Sequence, residues 1–570
     1  MSAAPGKRPH QNDGGGGGGG GGRRPKKFSK GRKQKPVKEG SSEEVLMADI
    51  QSMLAAQRLS SPPPEETNGA QEDPLVVLAS LPEPGTEVDV EVVELSSTGD
   101  GLARQPGSDR IYVVPFTVPG DTVRVKVYRH LLKEQYSVAD FISVTKPSPL
   151  RDDSRIQCRY FAKCSGCQFQ MLDYPEQLRL KKRIVEKAYK NFSQLPPELY
   201  PEILDTIGSP LQFGYRTKLT PHFDGPPGFR SRGKRKALES TPDIGFMQKG
   251  SRKTLDIEDC PIGTDAVRKG MQRERKRMES EFSKYERGAT ILLREDTKRY
   301  PKGSEVPEEE LPSDAVRVET DANTDIKTCV TDSNATTTEY IDDYVFTNPA
   351  GAFFQNNNSI LPVFTSYVRD HILPPCPKPG AKPVKYLIDA YSGSGLFTIT
   401  LASTLPGGSI GIDIAAGSIA FARRNAELNR LSESQCSFLA ADAPELFKSV
   451  KYDPDETVVV LDPPRKGCDA SFLRQLMEFG PTRVVYVSCN VHTQARDVGV
   501  LVRGEVDGGA AEGGGAKTQS KKKRARYEIE SLRGFDFFPQ TGHVEGVAVL
   551  NRVDETQDEA QVEDKTTIES

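Results

Sequence analysis

The stretch that decides the fold is residues 386–395, which read YLIDAYSGSG. An apolar run at 386–388 leads into Asp389 and a glycine-rich turn, and residues 396–405 have the composition of a helix. A strand, a tight turn and a helix in this order mark the ligand-binding edge of a parallel sheet, where a residue such as Gly393 lets the backbone approach a ligand closely. The stretch therefore predicts a doubly wound α/β domain over residues 343–553.

Acidic residues follow the next strands of this domain. Asp413 ends the second strand and is placed to accept hydrogen bonds from ribose hydroxyls, and Asp442 follows the third and suits an adenine amino group. A single glycine-rich turn also occurs in NAD enzymes, but here Thr398 stands where the third glycine of their motif would be. A further strand runs into Asp462 of a DPPR sequence. Together these features favour S-adenosylmethionine over NAD as the cofactor.

A cysteine and a glutamate lie at two later strand ends. Cys489 follows the strand 484–487 within an SCN sequence, and Glu545 ends the stretch FPQTGHVE before the final strand, 547–550. Uracil carbon 5 is a poor nucleophile until a thiolate adds at carbon 6, and a base must then remove the carbon 5 proton. Cys489 and Glu545 fit these two roles, with Asp462 holding the uracil or the thiol. A cysteine considered alone is more often a small buried hydrophobe.

The N-terminal part of the chain changes character near residue 79. Residues 1–78 read as a disordered Gly-rich and basic tail, with one short helix predicted at 43–58. From 79 to 147, valines alternate with polar residues and turn signals lie between the alternating runs, at 98–101 and 119–121. Several short strands at this spacing predict a small closed, OB-like β-barrel.

Charge is distributed unevenly over the 570 residues, although the formal net charge is only −3. Residues 23–38 contain nine basic residues, residues 521–526 form a second basic cluster, and the tail 554–570 is acidic. Basic runs neutralise phosphates or serve in nuclear import, and a merely solvated charge run is the alternative. No apolar run reaches the length of about 20 residues that spans a bilayer. We expect no membrane partner and an intracellular protein of the nucleus, the cytoplasm or both, with mitochondria not excluded.

Four cysteines form a spaced set in the middle region, residues 148–342. The pattern is Cys158-x5-Cys164-x2-Cys167, with Cys260 further along the chain. Four thiolates suit zinc or an iron–sulfur cluster, and the spacing does not choose between them. We predict an α+β region around this set. Polar stretches near 226–241 and 270–334 read as inserted loops, as does 504–525 in the last domain.

Several stretches resemble, in order, the motifs of the RNA uracil-C5 methyltransferase family of the TrmA type. They are FFQNN at 353–357, DAYSGSG at 389–395, DPPRKG at 462–467, YVSCN at 486–490 and PQTGHVE at 539–545. The barrel segment resembles a TRAM domain, an RNA-binding module, so the resemblance covers roughly residues 80–553. Within the family, the chain looks most similar to fungal tRNA (uracil-5-)-methyltransferases.

This resemblance implies a Rossmann-like methyltransferase domain and roles for individual residues. It implies cofactor contacts at Gln355, Tyr391, Asp413 and Asp462, Cys489 as nucleophile and Glu545 as base. It also implies that the four cysteines hold a [4Fe-4S] cluster. At position 413 the family usually carries Glu, so the shorter Asp keeps the carboxylate and puts its reach in doubt.

The resemblance further implies methylation of the T-loop uridine of tRNA by a monomeric enzyme, giving 5-methyluridine. Methylation of a uridine in rRNA is the alternative within the same class, because the motifs are shared. A non-catalytic RNA-binding protein on the same fold is an alternative of another class, against which the intact Cys489, Asp462 and Glu545 argue. A methyltransferase acting on an exocyclic amino group would use a DPP-type motif without a cysteine.

Overall fold

The computed structural model describes residues 37–60, 78, 80–226, 236–307, 309, 311–375, 380–441, 446–506 and 524–553. Most of the first basic run (residues 23–36) and the first half of the second (residues 521–523) lie outside these ranges. So do the acidic tail, most of the predicted 504–525 loop and Asp442. The expectations for those residues stay predictions.

The N-terminal barrel is closed and has five strands in the order β1-β2-β3-β5-β4. The alternating valines of the sequence point inward, and Val90, Val123 and Val125 are fully buried in its core. The predicted small closed β-barrel is therefore confirmed. Its strands are β1 (Glu87–Leu95), β2 (Gly101–Arg104), β3 (Ile111–Val114), β4 (Thr122–Leu131) and β5 (Tyr136–Lys146).

A helix, α1 (Ser42–Ser60), packs against this barrel. Ile50 and Met53 lie in one buried cluster with barrel residues such as Leu102, and the Asp49 carboxylate accepts a hydrogen bond from the backbone N–H of Ser97. The predicted helix is present, but the assignment of this part of residues 1–78 to a disordered tail is wrong. Apolar residues three or four positions apart give α1 a face that the barrel covers.

The described part of the middle region, together with the strand that follows it, contains two long helices and eleven strands. The helices are α2 (Tyr174–Phe192) and α3 (Asp265–Glu281). The strands are β6 (Leu204–Ile207), β7 (Lys218–Leu219), β8 (His222–Phe223), β9 (Gly245–Met247), β10 (Thr254–Asp256), β11 (Ala289–Thr290), β12 (Leu293–Pro301), β13 (Val316–Glu319), β14 (Asn323–Val330), β15 (Thr336–Ile341) and β16 (Tyr344–Pro349). Most of these strands form two four-stranded sheets and one hairpin, which agrees with the predicted α+β character.

The prediction of inserted loops at 270–334 is wrong for much of that stretch. It holds most of α3 and the paired strands β12, β13 and β14. The helix buries Val267, Met271 and Met278 on one face, while its other positions are mostly charged. The high charge content of an amphipathic surface helix concealed its apolar stripe. The other predicted insertion, 226–241, lies largely outside the described residues.

The C-terminal domain is built on an eight-stranded sheet in the order β19-β18-β17-β20-β21-β23-β22-β6. The strands β17 to β21 are parallel, and β23 pairs antiparallel with both of its neighbours. These strands are β17 (Tyr386–Ala390), β18 (Gly408–Asp413), β19 (Cys436–Ala440), β20 (Thr457–Leu461), β21 (Arg483–Ser488), β22 (Tyr527–Phe535) and β23 (Glu545–Arg552). Two large apolar clusters cover the two faces of the sheet.

Helices follow most of the parallel strands, as expected for a doubly wound sheet. One helix, α4 (Leu361–His371), precedes the first parallel strand. The others are α5 (Leu396–Thr400), α6 (Ala416–Leu428), α7 (Leu446–Ser449), α8 (Ala470–Phe479) and α9 (Val491–Arg503). The α-helix after the glycine turn ends at Thr400, earlier than predicted, and a 3-10 turn continues to 404. The predicted Rossmann-like α/β fold is confirmed.

One strand of the sheet comes from outside the predicted domain. The edge strand β6 pairs in parallel with β22, and α2 packs against α9. The boundary at 342/343 therefore does not separate two packing units, because residues of the middle region complete the methyltransferase sheet. Among the described helices, none has the length and apolar character that a bilayer crossing would require.

Candidate active site

A cavity of about 740 Å³ lies at the carboxyl ends of the parallel strands. It brings together the described residues that the sequence assigned to cofactor and catalysis, which are Gln355, Tyr391, Gly393, Asp413, Asp462, Cys489 and Glu545. Ligands of doubly wound folds bind at this edge. The cavity therefore has the position and the side chains expected of a site for a cofactor and a second substrate.

The glycine-rich turn shapes one wall of the cavity. Tyr391, Gly393 and Gly395 all have positive φ angles, of 67°, 54° and 93°. A Cβ atom at Gly395 would also lie 3.0 Å from the Cζ atom of Phe438, so the close packing under the turn requires glycine there. The turn thus holds backbone amides and the Tyr391 ring at the cavity wall.

Asp413 joins this turn to the next strand. Its carboxylate accepts hydrogen bonds from the backbone N–H of Gly393 (3.0 Å) and of Ala415 (2.7 Å). Each oxygen keeps a further lone pair, and the side chain is partly open to the cavity. The carboxylate is thereby held in place with acceptor capacity left for ligand hydroxyls.

The FFQNN segment forms the opposite rim. Phe353 is 77% exposed at the mouth of the cavity, and Gln355 lines the interior. Phe354 is buried, and its ring packs against Phe346 at a centroid distance of 5.6 Å. The rings of Phe353 and Tyr391 are therefore accessible in the cavity, whereas Phe354 mainly supports the core.

Cys489 lies in the short connection between β21 and α9. Asn490 caps α9 by accepting a hydrogen bond from the N–H of His492, and its side-chain amide donates to the carbonyl of Arg465 at 2.9 Å. The thiol is partly exposed. These bonds fix Cys489 against the loop that carries Asp462, so both side chains face one cavity.

Glu545 is the first residue of β23 and is only 1% exposed. Among the described residues, neither carboxylate oxygen has a hydrogen-bond partner. The segment before it is held by α2, where the side-chain amides of Gln177 and Gln540 bond at 3.1 Å and Lys181 pairs with Asp536. A buried, unpartnered carboxylate on a rigid support is suited to receive a proton from a bound substrate.

The ionisable groups of the cavity perturb one another. Burial and the neighbouring charges of Glu545 and Asp462 raise the pKa of the Cys489 thiol to about 12, against the opposing effect of Arg465. Burial, followed by the charge of Asp462, raises the pKa of Glu545 well above its ordinary value. Asp462 is only partly covered, yet the protein packed around it raises its pKa to about 7. Without ligand, these groups of the cavity therefore stay protonated to a higher pH than the same groups do in water.

Sequence reasoning gave no role to two arginines of this site. Arg465 stands in the quoted DPPR sequence, lines the cavity and lies near enough to Cys489 for its positive charge to lower the pKa of the thiol. Arg216 comes from the middle region, and no local motif marks it. Its backbone bridges to Asn357 and to Gly263, which places it between the FFQNN segment and the Cys260 loop.

Cys468, seven residues after the end of β20, does not line the cavity. It is buried, its backbone N–H donates to the Asp497 carboxylate at 2.7 Å, and its sulfur lies 3.6 Å from the hydroxyl of Tyr486. Among the described cysteines, this leaves Cys489 as the one that lines the large cavity.

The four spaced cysteines line a second cavity of about 360 Å³. Arg216 and Phe538 line both this cavity and the first one, so the two adjoin. Within the described part of the chain, no three His, Cys, Asp or Glu side chains are grouped closely enough to hold a single metal ion. The structure thus brings Cys158, Cys164, Cys167 and Cys260 to one place without arranging them as a mononuclear site.

Two family models match the chain. The model described as tRNA (Uracil-5-)-methyltransferase matches residues 338–505, and the TRAM domain model matches residues 83–141. The second match coincides with the strands β1 to β4 and the start of β5, and confirms the TRAM prediction.

Two curated proteins and a solved structure are also similar to this chain. The tRNA (uracil(54)-C(5))-methyltransferase of Schizosaccharomyces pombe is 43% identical, covering 92% of this chain and 86% of that protein. The Saccharomyces cerevisiae protein of the same name is 41% identical, covering 81% and 73%. The Pyrococcus abyssi tRNA (uracil-54, C5)-methyltransferase, solved with S-adenosyl-L-homocysteine, is 25% identical with a TM-score of 0.53, covering 81% of this chain and all of that one. On these grounds the chain belongs to the tRNA (uracil-5-)-methyltransferase family.

Proposed function

We propose that the protein transfers the methyl group of S-adenosylmethionine to carbon 5 of the T-loop uridine of tRNA. The observation that carries the proposal is the convergence of Cys489, Asp462 and Glu545 in one cavity with the residues suited to the cofactor. A site for the cofactor alone would not need a thiol beside a buried, unpartnered carboxylate.

The reaction begins at Cys489. Its sulfur adds to carbon 6 of the uracil, which makes carbon 5 nucleophilic, and carbon 5 then takes the methyl group from the sulfonium of the cofactor. Glu545 removes the proton from carbon 5, the bond between sulfur and carbon 6 breaks, and the thiolate leaves. The products are 5-methyluridine and S-adenosylhomocysteine.

The thiol must lose its proton before it adds. Because its pKa is raised to about 12, Cys489 is a neutral thiol in the free enzyme at neutral pH. Asp462, with a pKa of about 7, is partly ionised at neutral pH and can accept the thiol proton, and the positive charge of Arg465 favours the thiolate. We assign Asp462 to that first proton and Glu545 to the later one. Because the pKa of Glu545 is raised, only the molecules in which it is ionised can take the carbon 5 proton.

The residues of the cofactor half have separate tasks. The Gly393 turn gives the cofactor backbone contact, the Asp413 carboxylate accepts hydrogen bonds from the ribose, and Tyr391 and Gln355 contact its other parts. We also propose that Asp442 binds the adenine amino group. This residue is not among those that the structure describes.

The choice of tRNA over rRNA is supported by the relatives, whose names specify uracil 54 of tRNA. The TRAM match supports RNA as the substrate class.

We also propose that the enzyme acts as a monomer, since every assigned side chain of the cavity comes from one chain. Light scattering of the protein alone and with tRNA tests that point.

The test of this function uses unmodified tRNA and S-adenosylmethionine with a labelled methyl group. We expect the wild type to form 5-methyluridine and Cys489→Ala to form none, while Cys468→Ala retains the methylation activity. RNA with 5-fluorouridine at the target blocks the final elimination, so it should form a covalent adduct with the wild type only. Equal activity of wild type and Cys489→Ala would exclude the mechanism, and methylation of an amino nitrogen would reassign the enzyme.

We propose further that Cys158, Cys164, Cys167 and Cys260 hold a [4Fe-4S] cluster. Four thiols lining one cavity supply the donor set that such a cluster requires. A cluster holds its four thiolates farther apart than a single ion does, so the lack of a mononuclear arrangement among the described residues is compatible with it. The bound group would tie the loop of Cys158–Cys167 to the Cys260 loop.

Anaerobic purification followed by iron and sulfide analysis tests this assignment. We expect about four iron atoms per chain and the absorption of a cubane cluster, both lost in Cys167→Ser and kept in Cys329→Ser. Stoichiometric zinc with no iron would assign the site to zinc instead.

A further inference from the structure

A third cavity, of about 230 Å³, also has Cys489 in its wall. Among the described lining residues, it shares Cys489 and Arg465 with the large cavity. Its walls come from the turn before α1 and the start of that helix, the β1–β2 loop of the barrel, the cysteine loop, α2, and the segments that hold Arg465, Cys489 and Glu545. The target base reacts at Cys489, so a nucleotide adjacent to it in the RNA must lie close to this opening.

The turn at 38–41 closes this cavity over the catalytic loop. The carbonyl of Gly40 accepts a hydrogen bond from the side-chain amide of Asn490 at 3.3 Å, and Glu39 pairs with Arg496 at 2.6 Å. Gly40 has a φ of 70°, and a Cβ atom there would lie 2.9 Å from Thr493. The N-terminal turn therefore contacts Asn490, the residue that follows the nucleophile, directly.

The floor of the cavity is fixed by Gln168. Its side-chain amide donates to the carbonyl of Thr98 at 2.8 Å, and its side-chain oxygen accepts from the N–H of Gly542 at 2.9 Å. One residue thus joins the barrel loop to the segment that carries Glu545. The walls are held before any ligand arrives, which lowers the cost of ordering a bound nucleotide.

The lining has the chemistry of a nucleobase site. Its polar side chains are mostly neutral donors and acceptors, namely Ser42, Ser97, Thr98, Ser165, Gln168, Asn490, His492 and His543. Of the described lining residues, only Arg465 carries a permanent charge. A site for phosphate gathers cations, whereas base edges and ribose hydroxyls are read by neutral hydrogen-bonding groups.

His492 gives a second, independent indication of a ligand. It is 8% exposed and lines the cavity, and its Nε2 atom has no hydrogen-bond partner among the described residues. Its Nδ1 atom lies 3.3 Å from the side-chain oxygen of Asn490, and its ring packs edge-on against Phe192. A buried ring nitrogen without a partner is costly unless a bound molecule completes it.

We propose that this cavity binds the nucleobase of a nucleotide directly flanking the target uridine, and that the N-terminal turn and α1 form one of its walls. The inference rests on the proposed function, because the position of the target is set by Cys489. It gives the segment 38–45 a part in RNA recognition that the catalytic motifs do not reveal.

The experiment compares methylation of a T-arm stem-loop RNA with two copies of it that carry an abasic ribose, one on the 5′ and one on the 3′ side of the target. Ser42→Phe places a bulky side chain at the cavity wall, and Gln51→Phe places the same side chain on an exposed position of α1 as control. We expect Ser42→Phe to raise the KM for the intact RNA about tenfold and Gln51→Phe to leave it unchanged. With the base missing on one flank, wild type and Ser42→Phe should have the same KM.

The flank on which this difference disappears identifies the bound neighbour. His492→Phe retains an aromatic ring and removes the ring nitrogens. It should raise the KM for intact RNA several-fold and leave the KM for that abasic RNA unchanged. This variant replaces Ser42→Phe in the test if Ser42→Phe fails to fold. An active wild type whose KM is the same for all three RNAs, or a Ser42→Phe effect that persists on both abasic RNAs, overturns the subsite alone. A wild type inactive on every RNA overturns the proposed function instead.

Discussion

Two adjoining cavities of this protein are lined by cysteine, and their surroundings differ. Cys489 lies with two carboxylates and an arginine in the methyl-transfer cavity, whereas the four spaced cysteines lie mainly with one another. In both places burial raises the thiol pKa, as for Cys489 and Cys167. The pKa of a thiol therefore does not tell a nucleophile from a ligand here. The neighbours do: a nucleophile needs proton acceptors and a cation, and a ligand needs further thiols.

The largest expected effect concerns the base. Glu545→Gln should lower the rate at which free 5-methyluridine RNA is released about 10³-fold, because the amide cannot take the carbon 5 proton. Addition and methyl transfer still proceed, so a methylated RNA–protein adduct should accumulate and be visible on a denaturing gel. Glu433→Gln makes the same substitution at an exposed position between α6 and β19 and serves as the control. Release of product by Glu545→Gln at the wild-type rate would assign the base elsewhere.

A smaller effect is expected when the other cavity is disturbed. Cys260→Ser should abolish bound iron and lower methyl transfer only about tenfold, since the reacting groups stay in place while Arg216 and the Cys260 loop lose their support. Iron content and kcat/KM measured on one preparation test this, with Cys329→Ser as the matched variant. A complete loss of adduct formation with 5-fluorouridine RNA would contradict the separation of the two cavities.

A comparable effect is expected at the cofactor. Asp413→Asn should raise the KM for S-adenosylmethionine about tenfold, because a neutral amide accepts hydrogen bonds less strongly than a carboxylate. The KM for tRNA should stay unchanged. Asp413→Glu restores the carboxylate that the family usually carries and should recover most of the affinity. An unchanged cofactor KM in Asp413→Asn would show that the carboxylate only supports the Gly393 turn.

The smallest expected effect is on stability. Unfolded, the Glu545 carboxyl loses its proton above its ordinary pKa of 4.5, whereas the buried group keeps it to a higher pH. The folded state then binds more protons, so the free energy of unfolding falls as pH rises. Glu545→Gln removes this penalty and should raise the Tm by about 2 °C near neutral pH. The gap between the variant and the wild type should grow from pH 5 to pH 8 in thermal unfolding, and a constant gap would contradict the raised pKa.

The features that sequence predicted well are local. Tyr391, Asp413, Asp462 and Cys489 each follow a short apolar strand, and parallel strands bring their carboxyl ends to one edge without further information. The four cysteines were found by spacing alone.

The features that sequence missed depend on distant parts of the chain. Arg216 reaches the site because its backbone bridges to Asn357 and Gly263, and nothing in its neighbours indicates that. The stretch 270–334 read as loops because charged residues outnumber the apolar stripe of α3. The helix α1 was predicted, but its packing against the barrel and the hydrogen bond between Gly40 and Asn490 involve residues far apart in sequence.

The edge strand β6 has a consequence for how the molecule is kept soluble. Without it, β22 would present a row of unpaired backbone N–H and C=O groups along one side of the methyltransferase sheet. Such an open edge recruits strands from other molecules. The outer strand of the sheet is thereby the four residues of β6 and not the nine of β22, and a short edge offers few backbone groups to a strand of another molecule.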